Sequence, residues 1–151
     1  MKKKRKLYHV VPSWVQPGAI FHIRIRCDPA NEPVLTESVL ARSVLRSAAY
    51  YNQCHNWYAR LFLLMPDHIH PLISFPPFKK MSEVVGAWKS YSNRENGVLW
   101  QGNYFDHRIR SDESFDEKAA YIRNNPVAKG LCTSPRDWQW VLDAENAEHW
   151  L

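Results

Sequence analysis

Two short runs carry side chains whose types and spacing could do chemistry. The first is His68-Ile69-His70. On a strand, residues two apart project from one face, so both imidazoles point one way while Ile69 points into the core. Two same-side imidazoles a few ångströms apart form a bidentate platform for a divalent metal. A bare H-x-H is also found as two surface histidines on a polar strand face. Here apolar residues flank it, Leu61 to Met65 before and Leu72 and Ile73 after. That places the pair on a central strand, whose polar side must face a cavity or a ligand. The second run is Tyr121-Ile122-Arg123-Asn124-Asn125-Pro126. Tyr121 and Asn125 are four apart and stack on one helical face. The Asn125 carboxamide oxygen can ligate a metal. Taken singly, Tyr121 reads as a core aromatic and Asn125 as a helix C-terminal cap.

The elements that must position these runs follow from periodicity. Residues 19–26 alternate, with Phe21, Ile23 and Ile25 on one face and His22, Arg24 and Arg26 on the other, predicting a half-buried strand with a basic, solvent-facing side. The segment 28–33 reads as a turn. A helix is expected over 37–53 with Thr36 as its N-cap and Val39, Leu40, Val44, Leu45 and Ala48 as its apolar stripe. Residues 57–64 and 68–75 read as strands joined in an antiparallel hairpin across Met65-Pro66-Asp67. A helix over 81–95, capped by Ser82, turns Val84, Val85, Trp88 and Tyr91 to one face. A mixed aromatic strand over 99–109 follows. A further helix begins at Asp112, is loaded with acids at its positive end and is stopped at Asn125 by Pro126. Residues 127–151 form a packed C-terminal wrap. The order β, α, β, β, α, β, α predicts an α+β protein with a ferredoxin-like antiparallel sheet and helices packed on one face. Residues 1–18 are expected to form a basic N-terminal arm and 19–151 a catalytic domain.

Composition bounds the remaining possibilities. The chain has 151 residues, 45% of them hydrophobic, with 7 Trp, 7 Tyr and 6 Phe, which excludes intrinsic disorder. No run approaches the roughly 18 apolar residues of a membrane span. The charged N-terminus lacks the apolar stretch of a signal peptide, so a cytoplasmic location is expected. Cys27, Cys54 and Cys132 are odd in number and widely spaced, which suits reduced, mostly buried thiols. Residues 1–60 carry ten Lys/Arg against three Asp/Glu, whereas 61–151 carry ten against twelve. This asymmetry suits a polyanionic partner, and it is equally what a solvated, solubilising tail would give.

Taken together the runs resemble a known family. Met65-Pro66-Asp67-His68-Ile69-His70-Pro71-Leu72-Ile73, then Trp88-Lys89, then Trp100-Gln101-Gly102-Asn103-Tyr104-Phe105-Asp106-His107-Arg108-Ile109-Arg110, then Tyr121-Ile122-Arg123-Asn124-Asn125-Pro126-Val127-Ala128-Lys129-Gly130-Leu131 resemble the REP-associated tyrosine transposases, within the superfamily of HUH single-strand DNA endonucleases and transposases. The resemblance spans roughly residues 21–140. It implies that Tyr121 is the nucleophile and that His68, His70 and Asn125 bind a divalent metal. It also implies a ferredoxin-like fold and a single-stranded DNA substrate with a hairpin beside the cleavage site. A monomer with its tyrosine supplied in cis is expected over a dimer. Pro71 departs from the aliphatic residue usual after the second histidine and suggests an edge or a bulge.

The implied chemistry suits these residue types. A phenol ordinarily loses its proton only near pH 10, about three units above neutrality, so it is a poor nucleophile unaided. A metal on the scissile phosphate stabilises charge on its non-bridging oxygens and assists the leaving 3′ oxygen. Attack would give a 5′-phosphotyrosine and a free 3′-hydroxyl, retaining the bond energy for later joining. Two imidazoles among oxygen ligands suit Mn²⁺ or Mg²⁺. DNA contacts are expected from Lys89, which matches the family's helix lysine, and from His107, Arg108 and Arg110 after the aromatic segment. Arg24, Arg26 and the arm are further candidates on charge alone, while Trp100 and Phe105 are expected to pack in the core. The competing function is a domesticated hairpin-binding module that does not cut. A cupin-type metal hydrolase is disfavoured by the few glycines and the amphipathic helices.

Overall fold

The computed structural model describes residues 11–15, 17–110 and 113–151. The basic run 2–6 and Asp112 therefore lie outside the described residues. The elements are β1 (Phe21–Arg26), α1 (Ser38–Gln53), β2 (Tyr58–Met65), β3 (His68–Ser74), α2 (Met81–Asn96), β4 (Phe105–Arg108), α3 (Phe115–Arg123), α4 (Asn125–Ala128) and β5 (Val141–Asp143), with 3-10 turns at Pro135–Asp137 and Ala147–Trp150. The strands form one sheet in the order β4-β1-β3-β2-β5. Every neighbouring pair is antiparallel. The first four strands with α1 and α2 give the expected ferredoxin-like core. β5, from within the C-terminal wrap, adds a fifth strand outside β2.

Strand alternation splits the apolar residues between two faces. Ile23, Ile25, Phe62, Leu64, Ile69 and Ile73 turn to one face and are sealed by Val44, Leu45 and Ala48 of α1 and Val84, Val85 and Trp88 of α2. The Trp88 indole nitrogen donates to Ser47 Oγ at 3.0 Å, so this bulky side chain buries no unpaired donor. Leu61, Leu63, Met65 and Leu72 turn to the other face, where Ile122, Phe115 and Ala119 of α3 pack on them. The two long helices thus share a face as expected, and α3 crosses to the opposite one. That placement brings Tyr121 to the side of the sheet that holds the histidines.

Several local expectations are corrected. Helix α1 is capped by Glu37 instead of Thr36, because the Glu37 carboxylate reaches and accepts from the amides of Val39 and Leu40. Val39 lies outside the apolar stripe and is exposed. Lys80, with no side-chain cap, precedes α2 in place of Ser82. Pro71 lies on the central strand, paired with Phe62, and the register shift falls in β2 between Ala59 and Leu61. The ladder from β3 to β1 is made at Phe21, His22, Ile25 and Arg26 and skips the stretch opposite Pro71, where the ring supplies no donor. Pro126 does not end the helical path. Asn124 breaks it, and Pro126 sits in the first turn of α4, where its missing N–H costs nothing.

The wrap is packed as expected. Leu64 N donates to Trp140 O at 3.0 Å and Trp138 Nε1 to Leu64 O at 2.9 Å, and Trp140 and Trp150 join the core. All three cysteines are free, but Cys54 is exposed. Among the described residues no helix is long and apolar enough to cross a membrane.

Candidate active site

β3 presents His68 and His70 on the face away from α1 and α2, as the period of two requires. Their Nε2 atoms lie 3.1 Å apart. The Nδ1 of His68 donates to Asp67 Oδ1 at 2.6 Å, which fixes that ring with a bare Nε2. The Nδ1 of His70 lies 3.1 Å from His22 Nε2 on the neighbouring β1. Both His22 and His70 are buried, at 7% and 6% exposure. This corrects the solvent-facing side expected for His22. Its strand face is correctly read, but that face lines the site because α3 partly covers it.

Burial keeps these rings neutral. Desolvation, then the charges of His68, His22, Arg24 and Arg26, pushes His70 down to about 3. Desolvation, then Lys118, Arg24 and His107, pushes His22 down to about 4. His68 is also lowered, by desolvation against the opposing pull of Asp67. The hydrogen bond from His68 holds the Asp67 carboxyl below its ordinary range. Neutral imidazoles are the form that ligates metals.

Helix α3 supplies the tyrosine. Ser114 caps it by accepting from Glu117 N at 3.2 Å, and Asp116 and Glu117 occupy its first turn. Phe115, Ala119 and Ile122 pack it on the sheet, and Arg123 donates to Asp143 Oδ2 of β5 at 2.8 Å. Tyr121 stands beside this apolar stripe at 64% exposure. It is not the core aromatic that its residue type alone would suggest. Asn125 opens α4 instead of ending the preceding helix. Among the described residues its buried side-chain nitrogen has no hydrogen-bond partner. Tyr121, Asn125, His68 and His70 line one cleft of about 530 Å³, together with Arg24, Arg26, Asp67 and Lys129.

The donor set suits a divalent cation. His68 Nε2 is bare and His70 Nε2 lies 3.1 Å from it, so both could turn lone pairs on one cation once the His70 proton sits on Nδ1. The Asn125 carboxamide could add an oxygen. Among the described residues no group of three or more His, Cys, Asp or Glu side chains forms a ready metal cluster. A cation here would be held by two imidazoles and a carboxamide, with water or phosphate oxygens completing its shell.

The expected DNA contacts divide. Arg24 and Arg26 line the cleft, and the Arg24 guanidinium lies 5.0 Å from the Phe105 ring centroid. Phe105 is exposed, contrary to the expectation of core packing, whereas Trp100 is half-buried against Trp88. His107 shares a face with His22 across the β1–β4 ladder and is paired with Glu113 at 3.0 Å. Arg108 ends β4 and Arg110 follows it, both exposed. Lys89 is not in the cleft. It donates to the Gln101 carbonyl at 2.6 Å, and burial lowers its pKa. The sequence reading missed His22, Asp67 and Lys129. Parity with Arg24 and Arg26 was the available signal for His22, and adjacence to His68 for Asp67.

Known proteins resemble this chain in sequence and fold. The family model described as "Transposase IS200 like" matches residues 20–125. An uncharacterised Haemophilus influenzae protein is 28% identical over 44% of this chain, which spans only 52% of that protein's length. A second H. influenzae protein, assigned as a REP-associated tyrosine transposase, is 24% identical over 82% of this chain and 78% of its own. Among solved structures, a REP-associated tyrosine transposase bound to a REP hairpin superposes with a TM-score of 0.69 at 17% identity, covering 82% of this chain and 76% of that one. A transposase candidate from Deinococcus radiodurans R1 gives a TM-score of 0.50 at 21% identity, over 76% and 95% of the two chains. The family match runs from the residue before β1 through Asn125 and so contains every strand of the ferredoxin-like core, both histidines and Tyr121; the chain belongs to the IS200-like transposase family.

Proposed function

We propose that this protein is a metal-dependent single-strand DNA endonuclease and strand transferase that acts on hairpin-bearing DNA through a covalent 5′-phosphotyrosine on Tyr121. The observation that carries the reading is the convergence of Tyr121, His68, His70 and Asn125 on one cleft rimmed by Arg24, Arg26 and Lys129. The likeness to a structure bound to a REP hairpin supports hairpin DNA as the substrate class.

The residues divide the work. Arg24, Arg26 and Lys129 neutralise backbone phosphates on either side of the scissile linkage. His68, His70 and Asn125 would hold Mn²⁺ or Mg²⁺. When bound, the ion supplies Lewis-acid stabilisation of charge on the phosphate oxygens. The exposed Tyr121 hydroxyl attacks the phosphorus in line. Its oxygen forms the new P–O bond, the P–O3′ bond breaks, the phenolic proton goes to water and the departing 3′ oxygen takes one up. The phosphodiester bond energy stays in the phosphotyrosine, so a second 3′-hydroxyl reverses the step without ATP. The open cleft suits a strand that must enter and leave.

Tyr121→Phe tests the reading. With Mn²⁺ and a labelled hairpin oligonucleotide carrying a single-stranded flank, the variant is expected to lose cleavage to background while retaining hairpin affinity within about threefold. Chelation with EDTA should also stop wild-type cleavage, and added Mn²⁺ should restore it. A Tyr121→Phe protein that still nicks removes Tyr121 from the mechanism. A wild-type protein that binds the hairpin without cutting under any divalent ion supports the non-cleaving module.

A further inference from the structure

The position of His22 has a consequence for the metal site. It enters from β1, 48 residues before His70, and places Nε2 3.1 Å from His70 Nδ1 inside the sheet face. Because Asp67 accepts from His68 Nδ1, the His68 Nε2 carries only a lone pair. The contact between the Nε2 atoms of His68 and His70 is then a hydrogen bond only when the proton of His70 sits on Nε2. In that arrangement His70 Nδ1 is bare, and His22 must donate to it through Nε2–H. The second arrangement moves the His70 proton to Nδ1, where it is donated to a bare His22 Nε2, and His22 carries its own proton on Nδ1. Only this second arrangement turns lone pairs of both Nε2 atoms toward one point.

We propose that His22 is a positioning residue that selects the metal-competent tautomer of His70, as Asp67 does for His68. This rests on the reading that His68 and His70 hold a divalent cation. Without an acceptor beside it, the Nδ1–H of buried His70 would have no partner, and His70 would keep its proton on Nε2, the atom required for ligation. Both rings stay neutral in both arrangements, so the change moves protons between ring nitrogens with no net uptake or release. Partners behind a metal-ligating histidine typically contribute about 10–100-fold to metal affinity.

The test is Mn²⁺ binding by calorimetry and electron paramagnetic resonance on full-length protein without DNA, comparing wild type, His68→Ala, His22→Leu and His22→Gln. A glutamine oxygen can accept where His22 Nε2 does. His22→Leu is expected to weaken Mn²⁺ binding about 10–100-fold, with His22→Gln within about threefold of wild type. In the long-range ¹H–¹⁵N spectrum of the Mg²⁺-loaded wild type, His70 and His22 should both carry their proton on Nδ1, leaving His22 Nε2 bare to accept. If His22→Leu binds as tightly as wild type while His68→Ala does not, the inference fails and the metal reading stands. If the wild type does not bind Mn²⁺, or His68→Ala binds unimpaired, the metal reading itself fails. Should His22→Leu not fold, the spectrum of the loaded wild type decides, and a His22 protonated there on Nε2, which cannot accept from His70, overturns the inference.

Discussion

The two faces of the sheet are built from the same strands by the same alternation, yet one is sealed and the other is open. On the α1/α2 side, Ile23, Ile25, Ile69 and Phe62 meet two 16-residue helices that close over them. On the other side, the nine-residue α3 packs on Leu61, Leu63, Met65 and Leu72 and gives only partial cover. It leaves Arg24, Arg26, His68 and His70 to line a cleft, with His22 buried behind His70. The central strand can carry polar residues toward this cleft because each buried ring there has a partner, Asp67 for His68 and His22 for His70. Sealing supplies stability, and partial cover buries the His22 and His70 rings while leaving the cleft reachable. Substitutions on the sealed face should therefore act through folding, and those on the open face through chemistry.

The sharpest contrast is between Trp88 and Tyr121. Trp88 is fully buried and contacts Trp57, Phe62 and Trp100. Trp88→Ala should cost about 3–5 kcal/mol of stability in denaturant unfolding. Tyr121→Phe, on the exposed hydroxyl, should stay within about 0.5 kcal/mol of wild type in the same measurement while abolishing cleavage. Comparable destabilisation by the two would erase the distinction between the faces.

A smaller effect concerns pH. The folded pKa values of His70 and His22, about 3 and about 4, lie below the 6.5 of a solvated histidine. The unfolded chain therefore binds more protons between these limits. Stability should be fully present above about pH 6.5 and should fall as pH drops toward 4, by at most about 1.4 kcal/mol per pH unit for each ring. Urea unfolding of metal-free protein at several pH values measures this slope, and His22→Gln should make it shallower. A flat profile through this window would mean that the open face is wetter than its burial indicates. Arg123→Ala should have the smallest effect. Its partly exposed bridge to Asp143 contributes about 1 kcal/mol or less, and addition of salt should reduce the difference from wild type.

Much of this contrast was legible in the chain. The alternation through 68–73 separates His68 and His70 from Ile69, and the apolar flanks, Leu61 to Met65 before and Leu72 and Ile73 after, place their strand centrally. The legibility ended where a face is covered by something distant in sequence. His22 has the parity of Arg24 and Arg26, but whether that face meets water or a cleft depends on α3, almost a hundred residues later. Lys89 is basic and half-buried, and only the fold shows its ammonium donating to the Gln101 carbonyl. Phe105 reads as core by residue type, whereas β4 is an edge strand and leaves it exposed under Arg24. Pro126 stops a helix by its own chemistry, but the chain had already turned at Asn124 and could begin a new one.

The most direct test of the account is the chemical fate of the open face. Wild-type protein incubated with Mn²⁺ and a hairpin oligonucleotide, digested and sequenced by tandem mass spectrometry, should yield a peptide in which Tyr121 carries a 5′-linked nucleotide, with a matching free 3′-hydroxyl on the released strand. An adduct mapped to another residue, or cleavage that leaves a 5′-phosphate with no adduct at any time point, would contradict it.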